Sequence, residues 1–530
     1  MSQELPTLVN AAVERQQAGE VPSAIELYEQ ALDIDPANGA ALFGRATCLQ
    51  LVGRPEEALE GYAAALQAFP DHPSIITRMA HLQRQLGRLD EAIATYEVAL
   101  TISPDDPTVA VGMSQALVLL GRDDEALAAL GTSPPSGEGA AGVDAQRVRV
   151  LLAKGDFDRA EQVARSLTTS SPVDQMNRSL LLTDIASARW EFSEAESEIA
   201  KACVHQPDRP ALHLRHGARL LALLRPIEAL DALARRAEVV PARANTDVRP
   251  RATQGLFADI ANEFLVDPRS LASAREALNA DDPEWAARVV REFPGSLAAT
   301  STLFVTLRRA GRLHEGPPSD GATIPPHVIQ AWLGSPMPAQ LDSTVASWRR
   351  RPGWKYTRFD DASAFAFLES EVGPDATLAY RKARHPAARA DLLRLAWLAV
   401  RGGVWADVDD ACRGSLDGLV AGRSLVVWQE DRGNLANDFM AAAPGHPAIV
   451  AAMQEAIRNL LDTYTESTWL ATGPGLVTRA VGAWLADNLD AAGSTLAVLD
   501  RHELRRSVLP GLPMQYKSTG SYWLHAEGSR

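Results

Sequence analysis

Residues 388–410 read ARADLLRLAWLAVRGGVWADVDD, and this stretch decides the fold of the C-terminal part of the chain. Its leucines recur at helical spacing, and Asp391 and Arg394 stand one turn apart on a shared face, which predicts an amphipathic helix. The glycine pair that begins at Gly402 predicts the end of that helix, because glycine readily adopts the left-handed C-cap conformation. The apolar residues 404–406 then predict a short buried strand.

Two carboxylates, Asp407 and Asp409, follow the predicted strand, and Asp410 extends the acidic run as a secondary candidate. Mg²⁺ and Mn²⁺ prefer oxygen ligands and can bridge protein carboxylates to a diphosphate. The pattern therefore predicts a divalent cation site beside a phosphorylated substrate. A bare Asp-x-Asp occurs by chance in many chains, so a solvated acidic turn is the alternative.

The whole stretch from helix to carboxylates resembles the DxD-type sugar transferases, which include initiating α-1,6-mannosyltransferases and bacterial capsular-polysaccharide enzymes. That family carries Asp-x-x-Arg on a helix, followed by Gly-Gly-x-Tyr-x-Asp-x-Asp. The resemblance implies a GT-A fold, which is a Rossmann-like α/β domain, with Mn²⁺ or Mg²⁺ and a nucleotide-sugar donor. The matching residues here are Asp391, Arg394, Gly402, Gly403, Trp405, Asp407 and Asp409, with Trp405 in place of the usual tyrosine.

The resemblance also implies roles for individual residues. Asp409 is expected to be a direct metal ligand and Asp407 a metal or ribose contact, with Arg394 beside them as a third catalytic residue. Asp391 and Arg394 are expected to contact the sugar and phosphate side of the donor; the alternative is a surface ion pair of little energy. His525, in the closing segment SYWLHAEGSR, is expected to be a third protein ligand of the metal or a contact to the diphosphate, and a structural histidine is the alternative.

Two further segments resemble the same family. The segment IPPHVIQAWLGSP, which begins at Ile324, resembles the opening strand and loop, so Trp332 is expected to stack on the nucleotide base or else to be a core aromatic. In the segment VVWQEDRGNLANDF, Asn437 is expected to line the site, and Glu430 or Asp431 to approach the acceptor hydroxyl. The expected donor contacts are Trp332, Asp391, Arg394, Gly403, Trp405, Asp407 and Asn437.

The N-terminal half of the chain is repetitive. Glycines recur every 34 residues, and alanines, tyrosines and prolines follow in the same register. This period and residue pattern resembles the tetratricopeptide repeat family over residues 8–237. The resemblance implies an all-helical superhelix with a concave groove for a peptide or protein partner. The recurring glycines are Gly19, Gly53, Gly87, Gly121 and Gly155.

The expected fold class is therefore an N-terminal tetratricopeptide superhelix followed by a C-terminal α/β domain of GT-A type. We expect the repeat array in residues 1–237, a helical adapter and linker in 238–320 and the transferase domain in 321–530. A helical pattern runs from Ala261 to Leu278 and two more helices are expected after it, before the Gly- and Pro-rich linker EGPPSDGATIPP.

Composition narrows the choice of partners. The chain has 530 residues, too many for one ordinary core, and a formal net charge of −15, which argues against nucleic-acid binding. The three cysteines fit neither a metal site nor a disulfide framework. The sequence shows no signal peptide and no apolar run long enough to cross a bilayer, so a cytoplasmic location is expected.

The resulting expectation is a metal-dependent retaining glycosyltransferase whose acceptor is a protein or peptide recruited by the repeats. A capsular or lipid-linked glycan acceptor is the alternative, as is an adaptor with an inactive transferase domain. The Asp-x-Asp also resembles the motif of haloacid-dehalogenase phosphatases. Those enzymes need Thr or Val where this chain has Ala411, and a later acidic pair that the sequence lacks.

Overall fold

The computed structural model describes residues 4–131, 139–240, 255–313, 323–334, 336–462, 467–512, 514 and 517. The chain divides into two compact units, Met1–Lys154 and Gly155–Arg530. In the described ranges, no helix has the length and apolar character required to cross a membrane.

The first unit consists of helices that pack in consecutive pairs. The repeating glycines Gly19, Gly53 and Gly87 all have φ between 75° and 79°, which confirms the predicted turns. Three repeats bury a tyrosine each, at Tyr28, Tyr62 and Tyr96, and a Cβ added at Gly44 would lie 2.2 Å from the ring of Tyr28, so glycine makes room for the ring there. The helices are α1 (Glu4–Gln17), α2 (Val21–Ile34), α3 (Gly39–Leu51), α4 (Pro55–Ala68), α5 (Pro73–Gln85), α6 (Leu89–Ile102), α7 (Pro107–Leu119), α8 (Asp123–Ala129) and α9 (Ala140–Lys154).

The second unit begins with more helices of the same paired kind. The helical stretch predicted for Ala261 to Leu278 is divided in two, because Asp267 caps a new helix by accepting a hydrogen bond from the backbone N–H of Arg269 at 2.9 Å, and Pro268 follows it. The two helices predicted after it are confirmed. These helices are α10 (Phe157–Ser166), α11 (Pro172–Ala188), α12 (Phe192–His205), α13 (Pro210–Ala222), α14 (Pro226–Val239), α15 (Leu256–Val266), α16 (Pro268–Ala280), α17 (Pro283–Glu292) and α18 (Leu297–Arg309).

A mixed sheet follows, with the strand order β2-β1-β3-β6-β5-β7. The pairs β2-β1, β1-β3 and β5-β7 are parallel, whereas β6 runs antiparallel to both β3 and β5. The strands β4 and β8 pair separately and antiparallel. The strands are β1 (His327–Ala331), β2 (Lys355–Phe359), β3 (Gly403–Ala406), β4 (Ala411–Cys412), β5 (Leu425–Gln429), β6 (Leu435–Ala442), β7 (Leu496–Leu499) and β8 (Val508–Leu509).

Helices connect these strands and cover the sheet, and the side chains of the sheet pack with them into two apolar clusters, a large one and a smaller one. Helical repeats followed by an α/β region with a mixed sheet confirm the predicted fold class. The helices are α19 (Asp342–Arg349), α20 (Asp361–Phe367), α21 (Pro374–Lys382), α22 (Pro386–Val400), α23 (Asp417–Val420), α24 (Pro447–Leu461), α25 (Thr468–Ala471), α26 (Pro474–Asp487) and α27 (Arg501–Arg505).

Helix α18 is fastened to the sheet by a buried arginine. Arg308 is 4% exposed and donates from Nε to the side chain of Gln429 at 2.8 Å and from Nη2 to the carbonyl of Val498 at 2.6 Å. The expected adapter helix is thus part of the same core as the sheet. The domain boundaries at residues 237 and 320 remain predictions, and most of the expected linker lies outside the described residues.

Candidate active site around the DxD turn

The quoted stretch folds as the sequence predicts. Helix α22 ends at Val400, Gly402 and Gly403 have φ of 66° and 116°, and β3 follows at once. A Cβ at Gly403 would lie 2.5 Å from the carbonyl oxygen of His327 in the neighbouring strand. Glycine is therefore needed at this position both for its backbone conformation and for the close approach of β1. The turn delivers Asp407 at the end of a buried strand.

Arg394 joins the helix to the carboxylates. Its guanidinium donates from Nη2 to Asp407 at 2.7 Å and from Nη1 to Asp391 at 3.2 Å, and it lies 5.0 Å from the ring centroid of Trp405. The side chains of Arg394 and Asp391 are only 3% and 10% exposed. The alternative of a surface ion pair is therefore wrong, and the pair belongs to the interior of the site.

Asp391 has neutral partners as well. It accepts hydrogen bonds from Asn437 Nδ2 at 2.9 Å and from the hydroxyl of Thr472 at 3.0 Å. Burial raises the pKa of Asp391 to about 6, while Arg394 and these two hydrogen bonds act in the opposite direction. Asp391 thus ties α22 to β6 and to the segment after α25, and it fixes where Arg394 points.

Trp405 holds the carboxylate of Asp407 by a hydrogen bond. Its indole Nε1 donates to the Asp407 carboxylate at 2.9 Å, and the residue is 1% exposed. The tryptophan that replaces the family's tyrosine therefore still offers a polar hydrogen, and its ring lies in the core. Contact of Trp405 or Gly403 with the donor stays a prediction.

Further carboxylates surround Asp407. Asp410 is fully buried and accepts from the backbone N–H of Gly511 at 2.7 Å, and Asp438 accepts from Trp428 Nε1 at 2.6 Å. Burial raises the pKa of Asp410 well above its ordinary value, and the nearby Asp438 raises it further. Burial, with Asp407 next in effect, raises the pKa of Asp438 to about 7. Burial and the neighbouring carboxylates therefore favour the protonated forms of Asp410 and Asp438.

Asp409 lies at the edge of this cluster. Its side chain is 12% exposed and its carboxylate pairs with the ammonium group of Lys517. Lys517 was missed by sequence reasoning, since a lone lysine in the C-terminal segment matches no part of the quoted pattern. Contact with Asp409 brings it into the site.

The remaining residues predicted for the site differ in their placement relative to the turn. Trp332 is half-buried against an apolar cluster that includes Val408, the middle residue of the DxD, while its stacking on a base stays a prediction. Asp431 is held by Arg219, which donates to its carbonyl at 2.9 Å and to its carboxylate at 3.1 Å. His525 lies outside the described residues.

The donor set around the turn consists of carboxylate oxygens, the ligand type that Mg²⁺ and Mn²⁺ prefer. Within the parts of the chain that the structure describes, no three His, Cys, Asp or Glu side chains are placed together to hold a metal ion. Asp407 already engages Arg394 and Trp405 through Oδ1. The residues of the turn therefore fit such a cation, with Asp409 as the leading ligand and Asp407 as the second. Cations of this kind are commonly bound by one or two carboxylates plus substrate phosphates.

Comparison with known families matches two regions of the chain. Tetratricopeptide repeat models match residues 16–82, 52–100 and 84–147. The model described as a glycosyltransferase sugar-binding region containing a DXD motif matches residues 338–426, which include Arg394 and both carboxylates of the DxD.

Curated relatives match part of the chain. Mannosyl phosphorylinositol ceramide synthase SUR1 of Saccharomyces cerevisiae is 32% identical over 103 residues, 19% of this chain and 26% of that protein. Inositol phosphoceramide mannosyltransferase 1 of Schizosaccharomyces pombe is 23% identical over 163 residues, 30% of this chain and 51% of that protein. The chain thus spans a quarter to a half of the length of these relatives.

Among solved structures, a tetratricopeptide repeat protein from Parabacteroides merdae aligns with 18% identity and a TM-score of 0.39, covering 49% of this chain and 99% of that one. The two family matches show that the chain combines tetratricopeptide repeats with a sugar-binding region of the DXD-containing glycosyltransferases.

Proposed function

We propose that this chain is a retaining glycosyltransferase that moves a sugar from a nucleotide-sugar donor to an acceptor hydroxyl with the help of a divalent cation. The observation that carries the proposal is the buried Arg394, which joins Asp391 to Asp407 two residues before Asp409. The match of the DXD glycosyltransferase region to residues 338–426 supports it, since all four residues lie inside the matched segment.

In this proposal the chain's own side chains prepare the site for a diphosphate. Asp409 and, second to it, Asp407 would hold the cation, while Arg394 would face the sugar and phosphate side of the donor from its fixed place on α22. Trp405 and Asp391 keep Asp407 and Arg394 in position. When bound, the cation supplies charge neutralisation and Lewis acidity at the departing diphosphate. Preorganised charge of this kind is commonly the largest contribution to catalysis.

We propose a protein or peptide as the acceptor, recruited by the repeats, because tetratricopeptide stacks form concave surfaces that take such partners. The matched repeats in residues 16–147 support this assignment. The proposed location is the cytoplasm. A lipid-linked acceptor is the second candidate, since two of the relatives are named for inositol phosphoceramide. Their names also favour mannose as the sugar to test first.

Turnover of sugar nucleotides tests this function. Purified protein is incubated with Mn²⁺ and with GDP-mannose, UDP-glucose, UDP-galactose or UDP-N-acetylglucosamine, and the released nucleoside diphosphate is measured. We expect release from one of these donors and a return to background when EDTA removes the cation. Background release from every donor contradicts the proposed activity, and release that EDTA leaves unchanged contradicts the metal requirement.

The same reaction distinguishes the two acceptors. With a radiolabelled sugar, label is counted separately in acid-precipitated protein and in an organic extract after addition of a cell lysate. We expect label in the protein fraction. Label confined to the organic extract contradicts the protein acceptor and supports the lipid-linked one.

A further inference from the structure

The segment that follows β8 returns to the DxD turn and is fastened to it by backbone hydrogen bonds. Strand β8 pairs with β4, and β4 is the strand that begins directly after Asp410. The N–H of Gly511 then donates to the Asp410 carboxylate at 2.7 Å, and the N–H of Leu512 donates to the Asp409 carbonyl at 3.0 Å. The described part of this segment therefore lies against both aspartates.

Apolar packing fixes the position of the next residues. Met514 packs against the cluster of Leu341, Val345 and Val408, and its carbonyl accepts from the N–H of Lys517 at 3.1 Å. The ammonium group of Lys517 lies on Oδ2 of Asp409. The packing of Met514 and its hydrogen bond with the N–H of Lys517 support this contact, which thus does not depend on the lysine side chain alone.

The ion pair between Lys517 and Asp409 is shielded from solvent. The two side chains are 20% and 12% exposed, so water and salt screen their attraction less than that of a surface pair. Arg394 engages Asp407 next to them. An ammonium group and a divalent cation held by the same carboxylate disfavour each other, because their positive charges repel.

We propose that Lys517 occupies the cation position at Asp409 in the donor-free protein, so that a divalent cation binds only by displacing this lysine. The inference rests on the proposed function, since it takes Asp409 as the residue that holds the cation. Its consequence is that the free protein binds Mn²⁺ weakly and that cation binding loosens the contact of the C-terminal segment with the turn.

Binding of Mn²⁺ alone tests the competition. The full chain is titrated with MnCl₂ and free Mn²⁺ is read by electron paramagnetic resonance, for the wild type and for Lys517→Gln. We expect Lys517→Gln to bind Mn²⁺ about tenfold more tightly, within the usual range of coupling between competing sites. Arg501→Gln is the matched control, because it removes one positive charge from the same unit while Arg501 itself lies over the ring of Trp428, 5.7 Å from its centroid. We expect the control to stay within about twofold of the wild type.

The outcomes separate this inference from the proposed function. Equal affinity of wild type and Lys517→Gln, combined with loss of binding in Asp409→Asn, overturns the role of Lys517 and leaves the cation site intact. A similar gain in Lys517→Gln and Arg501→Gln also overturns it, since general electrostatics would then explain both. If neither wild type nor Lys517→Gln binds Mn²⁺, the competition and the proposed cation site are both contradicted.

Trypsin gives a second readout, because it cleaves after lysine. We expect slow cleavage after Lys517 in the metal-free wild type, faster cleavage when Mn²⁺ is added, and fast cleavage with or without Mn²⁺ in Asp409→Asn. The fragments are identified by mass spectrometry. Cleavage that Mn²⁺ slows in the wild type overturns the proposed displacement.

Discussion

The substitution Asp409→Asn is expected to lower the rate of sugar transfer about a thousandfold, the size of effect seen when one group that stabilises transition-state charge is removed. Oδ1 of Asp407 is already engaged by Arg394 and Trp405, so the carboxylate of Asp409 is taken as the leading oxygen donor for a cation that also contacts a diphosphate. Asparagine keeps the shape of the side chain and removes its charge.

The fold is expected to tolerate this change. The variant loses the ion pair with Lys517 and also loses repulsion between Asp409 and the neighbouring Asp407 and Asp410. We therefore expect a melting temperature within a few degrees of the wild type, as is usual when opposing changes nearly cancel. Asp462→Asn, at an exposed position after α24, is the control and should keep full activity. Asp409→Asn with more than about a tenth of wild-type transfer contradicts the ligand role.

The second large effect is expected for Arg394→Met, which should lower the free energy of unfolding by about 3 to 5 kcal/mol and abolish transfer. Arg394 is 3% exposed and binds two carboxylates. Methionine fills much of the same space and leaves the buried Asp391 and the partly exposed Asp407 without this counter-charge. The decrease in the free energy of unfolding then comes mainly from uncompensated buried charge and less from lost packing.

Two further variants check this reason by chemical denaturation. Arg401→Met removes an arginine just after α22 that pairs with Glu371 at 2.6 Å but is 54% exposed, so we expect a change within about 0.5 kcal/mol. The double variant Arg394→Met, Asp391→Asn should be more stable than Arg394→Met alone, because one of the two stranded carboxylates is neutralised. A double variant that is less stable than the single one contradicts the electrostatic reason.

The local part of the site could be predicted from the sequence. The end of α22 at the glycine pair, the short β3 and the placement of Asp391 and Arg394 on one face depend on residues close together in the chain. The start of a new helix after Asp267 also has a signal in the sequence, since Asp-Pro is a common start of a helix. The apolar periodicity continues on both sides of Asp267, and for that reason the stretch reads as a single helix.

Other features depend on contacts between distant segments and could not be read from the sequence. The burial of Asp391 comes from Asn437 and Thr472, which belong to β6 and to the segment after α25. Lys517 reaches Asp409 only because β8 pairs with β4 and Met514 packs on the turn. No local pattern encodes these contacts, so a pair that resembles a surface ion pair in sequence lies inside the folded site.

Ligand-dependent thermal stability tests most directly whether this turn binds a sugar nucleotide through a cation. The melting temperature of the full chain is measured with each sugar nucleotide, with and without Mn²⁺, for the wild type and for Asp409→Asn. We expect a rise for one donor that requires Mn²⁺ and is lost in the variant, because a ligand present at about a hundred times its Kd adds roughly 2.7 kcal/mol to the folded state. No rise with any donor, or an equal rise in Asp409→Asn, would contradict the proposed site.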